Sequence, residues 1–178
     1  MARPDQPVVK LDEAARIATG EDTDHIVALA RAAVRELSAQ RGGAVWSRYQ
    51  ARTEPIPAAI AEAVAASSAG GGQLVVAGTL EEVVVGYGIV VLASVADGGI
   101  LGVIEDLYVE PEARGVGVGE AMMDLILEWA GEQDCFGVDS LALPGNRETK
   151  NFFESFGLVA RAIIVHRAIP RAGPEVQR

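Results

Sequence analysis

The sequence has very little of what metal sites and disulfide-stabilised folds are built from. Its single cysteine, Cys135, excludes an intramolecular disulfide framework and a zinc site made of several cysteines. Its two histidines, His25 and His166, stand far apart, and no third ligand is suggested near either of them. We therefore predict no metal, and a lone thiol fits the reducing cytoplasm as the expected location.

Positive charge is also scarce. The chain has 15 Lys and Arg residues against 25 Asp and Glu residues, a formal net charge of −10. Sequence-independent binding to DNA or RNA needs clustered cations to neutralise phosphates, so no nucleic-acid partner is expected. The acidic surface can simply confer solubility, and it could also attract a cationic acceptor such as an amine.

Long apolar runs are missing as well. The longest, residues 83–96, is too short to span a bilayer and is interrupted by Gly86 and Gly88. Residues 1–10 contain two prolines and no apolar core, so we expect neither a signal peptide nor a membrane partner. A length of 178 residues suits one domain, 1–178, with its core at about 14–169 and poorly ordered ends at 1–10 and 170–178.

The patterns of apolar residues predict ten elements in the order β-α-α-β-β-β-α-β-α-β. The predicted strands cover residues 16–19, 73–79, 83–92, 100–109, 138–143 and 158–168. The predicted helices cover residues 24–39, 58–67, 117–132 and 146–156. This order predicts an α+β domain with a single mixed, mostly antiparallel sheet flanked by helices. The glycines at 86 and 88 indicate a bulge or a close backbone approach in the third strand.

A glycine-rich turn, residues 114–119, follows the 100–109 strand and opens a helix. Its glycines let the backbone approach a ligand, and the free N–H groups of the first helical turn favour a phosphate or pyrophosphate. The turn could also be a plain tight connection. It does not match the dinucleotide pattern G-x-G-x-x-G in either register, and the chain contains no Gly-Lys pair for a phosphate-binding loop.

Two motifs together resemble the GCN5-related N-acetyltransferases. The signature [Q/R]-x-x-G-x-[G/A], after a strand ending in apolar-x-V-x-P, is matched by Leu107, Val109, Pro111, Arg114, Gly117 and Gly119. The second element is an Asn opening the next helix, seven residues before a frequent Tyr that is followed by x-x-x-G-[F/L/M]. It is matched by Asn146, Phe153, Gly157 and Leu158, with Phe in place of Tyr. The resemblance covers about residues 14–169.

The resemblance implies that acetyl-CoA is the cosubstrate and that it binds in a wedge between the strands at 100–109 and 138–143. Backbone groups of Leu107 and Val109 would pair with the pantetheine arm like an added strand. The amides of residues 115–119 would hold the pyrophosphate, while Asn146 would contact the cofactor or serve as a helix cap. The complete predicted cofactor set is Leu107, Tyr108, Val109, Arg114, Gly115, Val116, Gly117, Val118, Gly119, Glu120 and Asn146.

Acetyl transfer to an amine needs a base, because an alkylammonium has a pKa of about 10.4. Glu105 and Asp106 precede Leu107, where the acetyl group sits in the family, and are the predicted catalytic residues. In a regular strand Glu105 shares a face with Leu107 and Val109, and Asp106 shares one with Ile104 and Tyr108. We favour Glu105 as the base and Asp106 as a group that binds the acceptor or holds a water, unless a bulge changes the faces.

The sequence indicates the class of the acceptor substrate but does not identify it. The string Glu-Asp-Leu-Tyr-Val at 105–109 is similar to diamine and polyamine acetyltransferases, so we expect transfer to a primary amine, polyamine-like or aminoglycoside-like. A protein or peptide N-acetyltransferase is the alternative. A non-catalytic acetyl-CoA sensor is a third hypothesis, because Phe153 cannot protonate the departing thiolate. Many members of the family dimerise, so a homodimer is also an open expectation.

Overall fold

The computed structural model describes residues 12–169. Within this range five strands form one sheet in the order β1-β2-β3-β4-β5. The strands are β1 (Glu13–Ile17), β2 (Gln73–Leu80), β3 (Val83–Ser94), β4 (Ile100–Val109) and β5 (Cys135–Ser140). The helices are α1 (Thr23–Ser38), α2 (Gly43–Tyr49), α3 (Ile56–Ser68), α4 (Val118–Glu132) and α5 (Arg147–Ser155). All neighbouring strands are antiparallel except β4 and β5, so the predicted α+β fold with a mixed, mostly antiparallel sheet is confirmed.

Helices cover both faces of the sheet. One apolar cluster joins the sheet to α1 and α3 and includes Ile26, Ile60 and Ile89. A second cluster, with Met122 and Phe153, lies between the opposite face and α4 and α5. Because successive β2 side chains enter opposite clusters, that strand is a continuous apolar run, as is typical of strands buried on both faces.

Gly86 and Gly88 allow α4 to lie close against β3. A Cβ at Gly86 would meet Cε of Met122 at 3.2 Å, and one at Gly88 would meet Cδ1 of Ile126 at 3.3 Å, and both of these residues lie on α4. The predicted close approach is therefore present. The pairing of β2 with β3 is also irregular nearby, between Gly78 and Thr79.

Several strand and helix boundaries differ from those predicted. The first strand lies at Glu13–Ile17 rather than 16–19, and β5 begins three residues earlier than predicted, at Cys135. Helix α2 was not predicted, because its seven residues are too few to show a helical period. The remaining strands and helices agree with the prediction to within about two residues at each end.

The predicted last strand, 158–168, is wrong for the chain described here. Residues 159–169 form no helix or strand and all of them are exposed. The β-branched composition predicts a strand, but a strand also needs an edge with which to exchange hydrogen bonds, and composition does not supply one. The expectation of poorly ordered ends at 1–10 and 170–178 concerns residues outside the described range.

Candidate active site

A cleft opens where β4 and β5 part. The two strands pair from Ile100 and Cys135 as far as Ile104 and Ser140, where β5 ends, whereas β4 continues to Val109. The resulting cavity has a volume of about 930 Å³ and is lined by β4 from Ile104 onward, α1, the start of α4 and the segment leading into α5. Both its size and its position between elements suit a small-molecule site.

The far half of β4 has a free backbone edge on the cleft side. The amide of Glu110 donates to the carbonyl of Val85 on the β3 side, at 2.9 Å. Because alternate residues of a strand direct their N–H and C=O groups to opposite edges, those of Leu107 and Val109 face the cleft. Arg114 Nε donates to the Val109 carbonyl at 2.8 Å, so one of these edge groups is already engaged by a side chain.

Glu105 is the extra residue of a β-bulge. In the pairing of β3 with β4, Ile89 lies opposite Asp106 and Val90 lies opposite Ile104, so Glu105 has no partner. The bulge reverses the alternation of side chains. Ile104 consequently packs in the same cluster as Leu107 and Val109, whereas Tyr108 enters the cluster on the opposite face. The predicted grouping of Ile104 with Tyr108 is therefore wrong.

Arg52, in the loop between α2 and α3, contacts both candidate catalytic carboxylates. Its Nε lies 2.5 Å from Oδ2 of Asp106, and its Nη2 lies 3.0 Å from Oε2 of Glu105. The Arg52 side chain is only 17% exposed. Burial alone would lower the pKa of Arg52, but the two carboxylates outweigh it and the pKa is raised.

The two carboxylates differ in how they are held. Asp106 is 14% exposed, and both its oxygens accept hydrogen bonds, because Tyr87 Oη also donates to Oδ1 at 3.2 Å. Burial raises the pKa of Tyr87 well above its usual value, and the Asp106 charge adds to the effect. Glu105 is 47% exposed, and no described residue donates a hydrogen bond to its Oε1. Of the two, Glu105 therefore has the oxygen available to a ligand.

The glycine-rich turn has the backbone needed to enter α4 directly after β4. Gly115 and Gly117 have φ angles of +74° and +106°, which residues with a Cβ rarely adopt. Gly117 is the N-cap, and its carbonyl accepts the Ala121 amide at 2.9 Å, so the amides of the first turn remain free of intrahelical partners. The amides of the first turn suit a pyrophosphate, and the free edge of β4 suits the amides of a pantetheine arm.

Arg114 does not point freely into the cleft. Its Nη1 and Nη2 donate to the two carboxylate oxygens of Glu36 on α1, at 3.0 and 2.8 Å. Its guanidinium also lies 5.3 Å from the centre of the Tyr108 ring, whose hydroxyl donates to Glu36 at 3.1 Å. The hydrogen bonds from Arg114 hold the pKa of Glu36 below its usual range. Together the three side chains bridge α1 to β4 beside the cleft.

Asn146 caps α5. Its Oδ1 accepts the Thr149 amide at 3.0 Å, and its Nδ2 donates to Oε1 of Gln40, just after α1, at 3.2 Å. The cap is therefore confirmed, and Asn146 also lines the cleft. Phe153, the residue at the family's tyrosine position, is buried in the apolar cluster behind α5 and reaches the cleft wall.

Most of the predicted site residues line the cleft. Its lining includes both catalytic candidates and eight of the cofactor set, namely Leu107, Tyr108, Val109, Arg114, Gly115, Gly119, Glu120 and Asn146. Val116, Gly117 and Val118 are not in the lining. The Val118 side chain is buried beside Val85 and Ala113, so this part of the turn could offer a ligand only its backbone.

Sequence reasoning missed several lining or contacting residues, among them Glu36, Trp46, Arg52 and Ser140. Arg52 has no local signal, because it stands in an irregular loop and meets Glu105 only across 53 positions of sequence. Glu36 occupies a polar position on α1, where a solvated carboxylate is the ordinary expectation.

Within residues 12–169 no three Asp, Glu, His or Cys side chains gather closely enough to hold a metal ion. None of the helices in the same range is long and apolar enough to cross a bilayer.

Comparison with known proteins identifies the family. The model of the acetyltransferase (GNAT) family matches residues 31–158, which is most of the chain. No curated protein matches. The chain belongs to the GNAT acetyltransferase family.

Solved structures share the fold at low sequence identity. A transcriptional regulator from Bacillus halodurans C-125 is 20% identical, with a TM-score of 0.64 over 89% of this chain and 100% of that one. AAC(6')-Iy in complex with the bisubstrate analogue CoA-S-monomethyl-acetylneamine is 15% identical, with a TM-score of 0.66 over 90% and 99% of the two chains. A predicted acetyltransferase with acetyl-CoA from Clostridium acetobutylicum is 14% identical, with a TM-score of 0.65 over 88% and 96%. At these identities the likeness establishes the fold.

Proposed function

We propose that this chain transfers an acetyl group from acetyl-CoA to a primary amine by direct attack, with Glu105 as the base. The observation that carries the proposal is the position of Glu105. It occupies the bulge of β4 where β5 ends, and one of its carboxylate oxygens has no partner among the described residues.

The cleft has the features that acetyl-CoA would need. The backbone edge at Leu107 and Val109 suits the amides of the pantetheine arm, and the first-turn amides of α4 suit the pyrophosphate. Asn146 lines the same cleft. When bound, acetyl-CoA supplies the acetyl group as a thioester, and the residues of this chain hold it beside Glu105.

The role of Glu105 is to take a proton from the incoming ammonium, directly or through a water, so that nitrogen is neutral when it attacks. The sulfur that leaves needs a proton in return, and Phe153 has none to give. The Tyr87 and Tyr108 hydroxyls donate to Asp106 and Glu36, and the Ser155 hydroxyl donates to the Phe152 carbonyl. A thiol has a pKa of about 8.5, so solvent in the open cleft is a sufficient proton source.

The lining favours a cationic acceptor of small size. Its carboxylates outnumber the guanidiniums at the site. The lining has five carboxylates, Glu36, Glu105, Asp106, Glu120 and Glu148, against Arg41 and Arg114 in the lining and Arg52, which contacts Glu105 and Asp106. Trp46 adds an aromatic face to which an ammonium can bind. Diamines and polyamines fit this chemistry, and the fold shared with AAC(6')-Iy is the reason to include amino sugars. We place the reaction in the cytoplasm, which suits the lone thiol.

The deciding experiment measures thiol release from acetyl-CoA in the presence of a diamine, a polyamine, an amino sugar, a lysine peptide and no acceptor. Labelled acetyl recovered on a small amine would support the proposal. Acetyl recovered only on the peptide would support a protein or peptide acetyltransferase instead. Hydrolysis that is independent of every acceptor would contradict transfer to an amine.

A non-catalytic acetyl-CoA sensor is the second candidate, and Phe153 is the observation that favours it. Under both candidates acetyl-CoA stabilises the fold, by about 2.7 kcal/mol at one hundred times its dissociation constant. The sensor alone predicts this rise in melting temperature without thiol release for any amine. No thermal shift at millimolar acetyl-CoA would contradict both.

A further inference from the structure

The strand that carries Glu105 does little to orient its side chain. Glu105 is the extra residue of the bulge in β4, so no residue of β3 lies opposite it, and β5 ends opposite the preceding residue, Ile104. Directly opposite side chains are the neighbours that restrain a residue within a sheet. The Glu105 side chain is also 47% exposed, and a long exposed side chain changes rotamer freely. A contact from another part of the chain is needed to hold its carboxylate in one place.

Arg52 makes that contact. Its Nη2 donates to Oε2 of Glu105 at 3.0 Å, whereas Oε1 accepts no hydrogen bond from residues 12–169. The contact therefore decides which carboxylate oxygen remains for a ligand. Arg52 is not among the residues that line the cleft, although Glu105 is. We infer that Arg52 acts on a bound acceptor through Glu105 and not by touching the acceptor itself.

The guanidinium of Arg52 is fixed in turn by groups deeper in the sheet. Its Nε lies 2.5 Å from Oδ2 of Asp106, and Oδ1 of Asp106 accepts a hydrogen bond from Tyr87 Oη at 3.2 Å. Tyr87 lies on β3 and is only 1% exposed. A continuous series of hydrogen bonds thus runs from a buried tyrosine, through Asp106 and Arg52, to the carboxylate of Glu105 in the cleft.

The loop that carries Arg52 is held near both of its ends. At its start the Ala51 amide donates to the Trp46 carbonyl at 3.0 Å. Near its end the carboxylate of Glu54 accepts a hydrogen bond from Arg31 Nε on α1, also at 3.0 Å. The loop is therefore tied to the two helices before it, and it presents Arg52 to the bulge in a defined position.

An arginine suits this position because two carboxylates have to be bound at once. Glu105 and Asp106 are adjacent in sequence, and the fork of N–H groups on one planar guanidinium reaches both of them. A lysine has a single nitrogen at the end of its side chain and cannot reproduce both contacts in the same geometry. A guanidinium is also protonated at every pH at which an enzyme is assayed, so its hold on Glu105 does not depend on pH.

We propose that Arg52 is the positioning residue of the base, holding Oε2 of Glu105 so that Oε1 meets the acceptor nitrogen. The inference rests on the proposed function, in which Glu105 is the base. The ammonium loses two protons on becoming the amide. Oε1 takes the first before the nitrogen attacks, and the second passes to solvent, which supplies one to the departing sulfur. Arg52 exchanges no proton in these steps, but a misplacement of a reacting group by about 1 Å can cost on the order of 10² in rate.

Arg52→Lys tests the positioning role. We expect kcat to fall by about 10- to 100-fold with the most active of the diamine, polyamine, amino sugar and lysine peptide, because the base is no longer held in place. The dissociation constant of acetyl-CoA should not change, since the proposed cofactor contacts lie further along β4 and on α4. Arg48→Lys is the matched control and should keep the wild-type kcat, because Arg48 is exposed at the end of α2 and forms no ion pair with a described residue.

The same change in a Glu105→Gln background separates positioning from a structural role. The measurement is made at a pH at which Glu105→Gln still turns over. A residue that acts only through Glu105 has no further effect once the base is gone, so the double variant should have the kcat of Glu105→Gln alone. Arg52→Gln, which is uncharged but still donates a hydrogen bond, repeats the comparison with a second side chain. Denaturant unfolding shows which variants are folded under the assay conditions.

Two results would overturn this inference while leaving the proposed function intact. The first is a wild-type kcat in folded Arg52→Lys and Arg52→Gln. The second is a loss of kcat by the same factor with and without Glu105, which would mean that Arg52 supports the fold of the site and not the base. Full activity of Glu105→Gln, or a wild type that releases no thiol with any amine, would overturn the proposed function together with this inference.

Discussion

Arg52 Nε lies 2.5 Å from Oδ2 of Asp106, and both side chains are largely withdrawn from solvent. This pair connects the loop after α2 to the bulged part of β4. Asp106 is therefore held in place by other parts of the fold, whereas the neighbouring Glu105 lines the cleft and keeps one oxygen that accepts no hydrogen bond from a described residue. Two adjacent carboxylates therefore have different expected roles.

Glu105→Gln should remove the base while keeping the size of the side chain. We expect turnover at neutral pH to fall by roughly 10²–10⁴, with partial recovery as the pH rises and the amine loses its proton to solvent. Acetyl-CoA affinity should change little, because the proposed cofactor contacts lie further along the chain. Steady-state kinetics from pH 6 to about 10, with a binding titration, would check this.

Asp106→Asn is the contrasting variant. It weakens the hydrogen bond from buried Arg52, so we expect a loss of about 2 kcal/mol in unfolding free energy, which Glu105→Gln should not show. Denaturant unfolding of the two variants in parallel measures the difference. If Asp106→Asn instead keeps full stability and loses turnover with the pH recovery expected of Glu105→Gln, Asp106 is the base.

Glu36→Gln tests the bridge between α1 and β4. The variant weakens the two hydrogen bonds to Arg114, so the guanidinium becomes available to a phosphate of acetyl-CoA and a competing negative charge is lost. We expect acetyl-CoA to bind about fivefold more tightly, corresponding to about 1 kcal/mol, which is the size of a partly exposed ion pair. Calorimetric titration gives the affinity. Weaker binding would mean that Glu36 positions Arg114 rather than competing for it.

Gly117→Ala should destabilise the protein whether or not acetyl-CoA is present. The φ angle of +106° disfavours any Cβ, and the added atom would lie 2.9 Å from Cγ of Glu13 on β1. We expect a loss of about 2 kcal/mol. Gly131→Ala, within α4 and with open space around it, is the control and should raise stability by about 1 kcal/mol. Thermal unfolding of both variants distinguishes backbone strain at position 117 from a general effect of adding a methyl group.

Asp22 should account for part of the loss of folding stability at low pH. Hydrogen bonds from Arg16 are the main cause that lowers the pKa of this buried carboxyl from 3.8 to about 2, although burial acts in the opposite direction. Because the pKa of Asp22 is lower in the folded state than in the unfolded state, its ionised carboxylate stabilises the fold at pH values above the unfolded-state pKa. This contribution to the free energy of unfolding is lost as the pH falls through the folded-state pKa. Asp22→Asn should therefore cost about 2 kcal/mol at pH 7, and its unfolding free energy should converge with wild type as the pH falls from about 4 through about 2. Equal pH dependence in both proteins would contradict this assignment.

Sequence patterns alone determined the elements that present the site. The β-branched run at 100–109 predicts β4 at the observed residues, and the apolar stripe with Met122 and Ile126 places α4 to within one residue. Such patterns succeed because burial of one helix face or of alternate strand residues is a local periodic requirement. The turn between these elements was also readable, because its positive φ angles require glycine.

Tertiary structure decided what the site residues touch. The bulge at Glu105 depends on the register between β3 and β4, and the Arg52 contact joins residues more than fifty positions apart, so neither leaves a local trace in the sequence. The same reason explains the wrong last strand. Residues 159–169 have the composition of a strand, but hydrogen-bond pairing depends on which edge lies within reach, and in the single chain none of the described edges receives them.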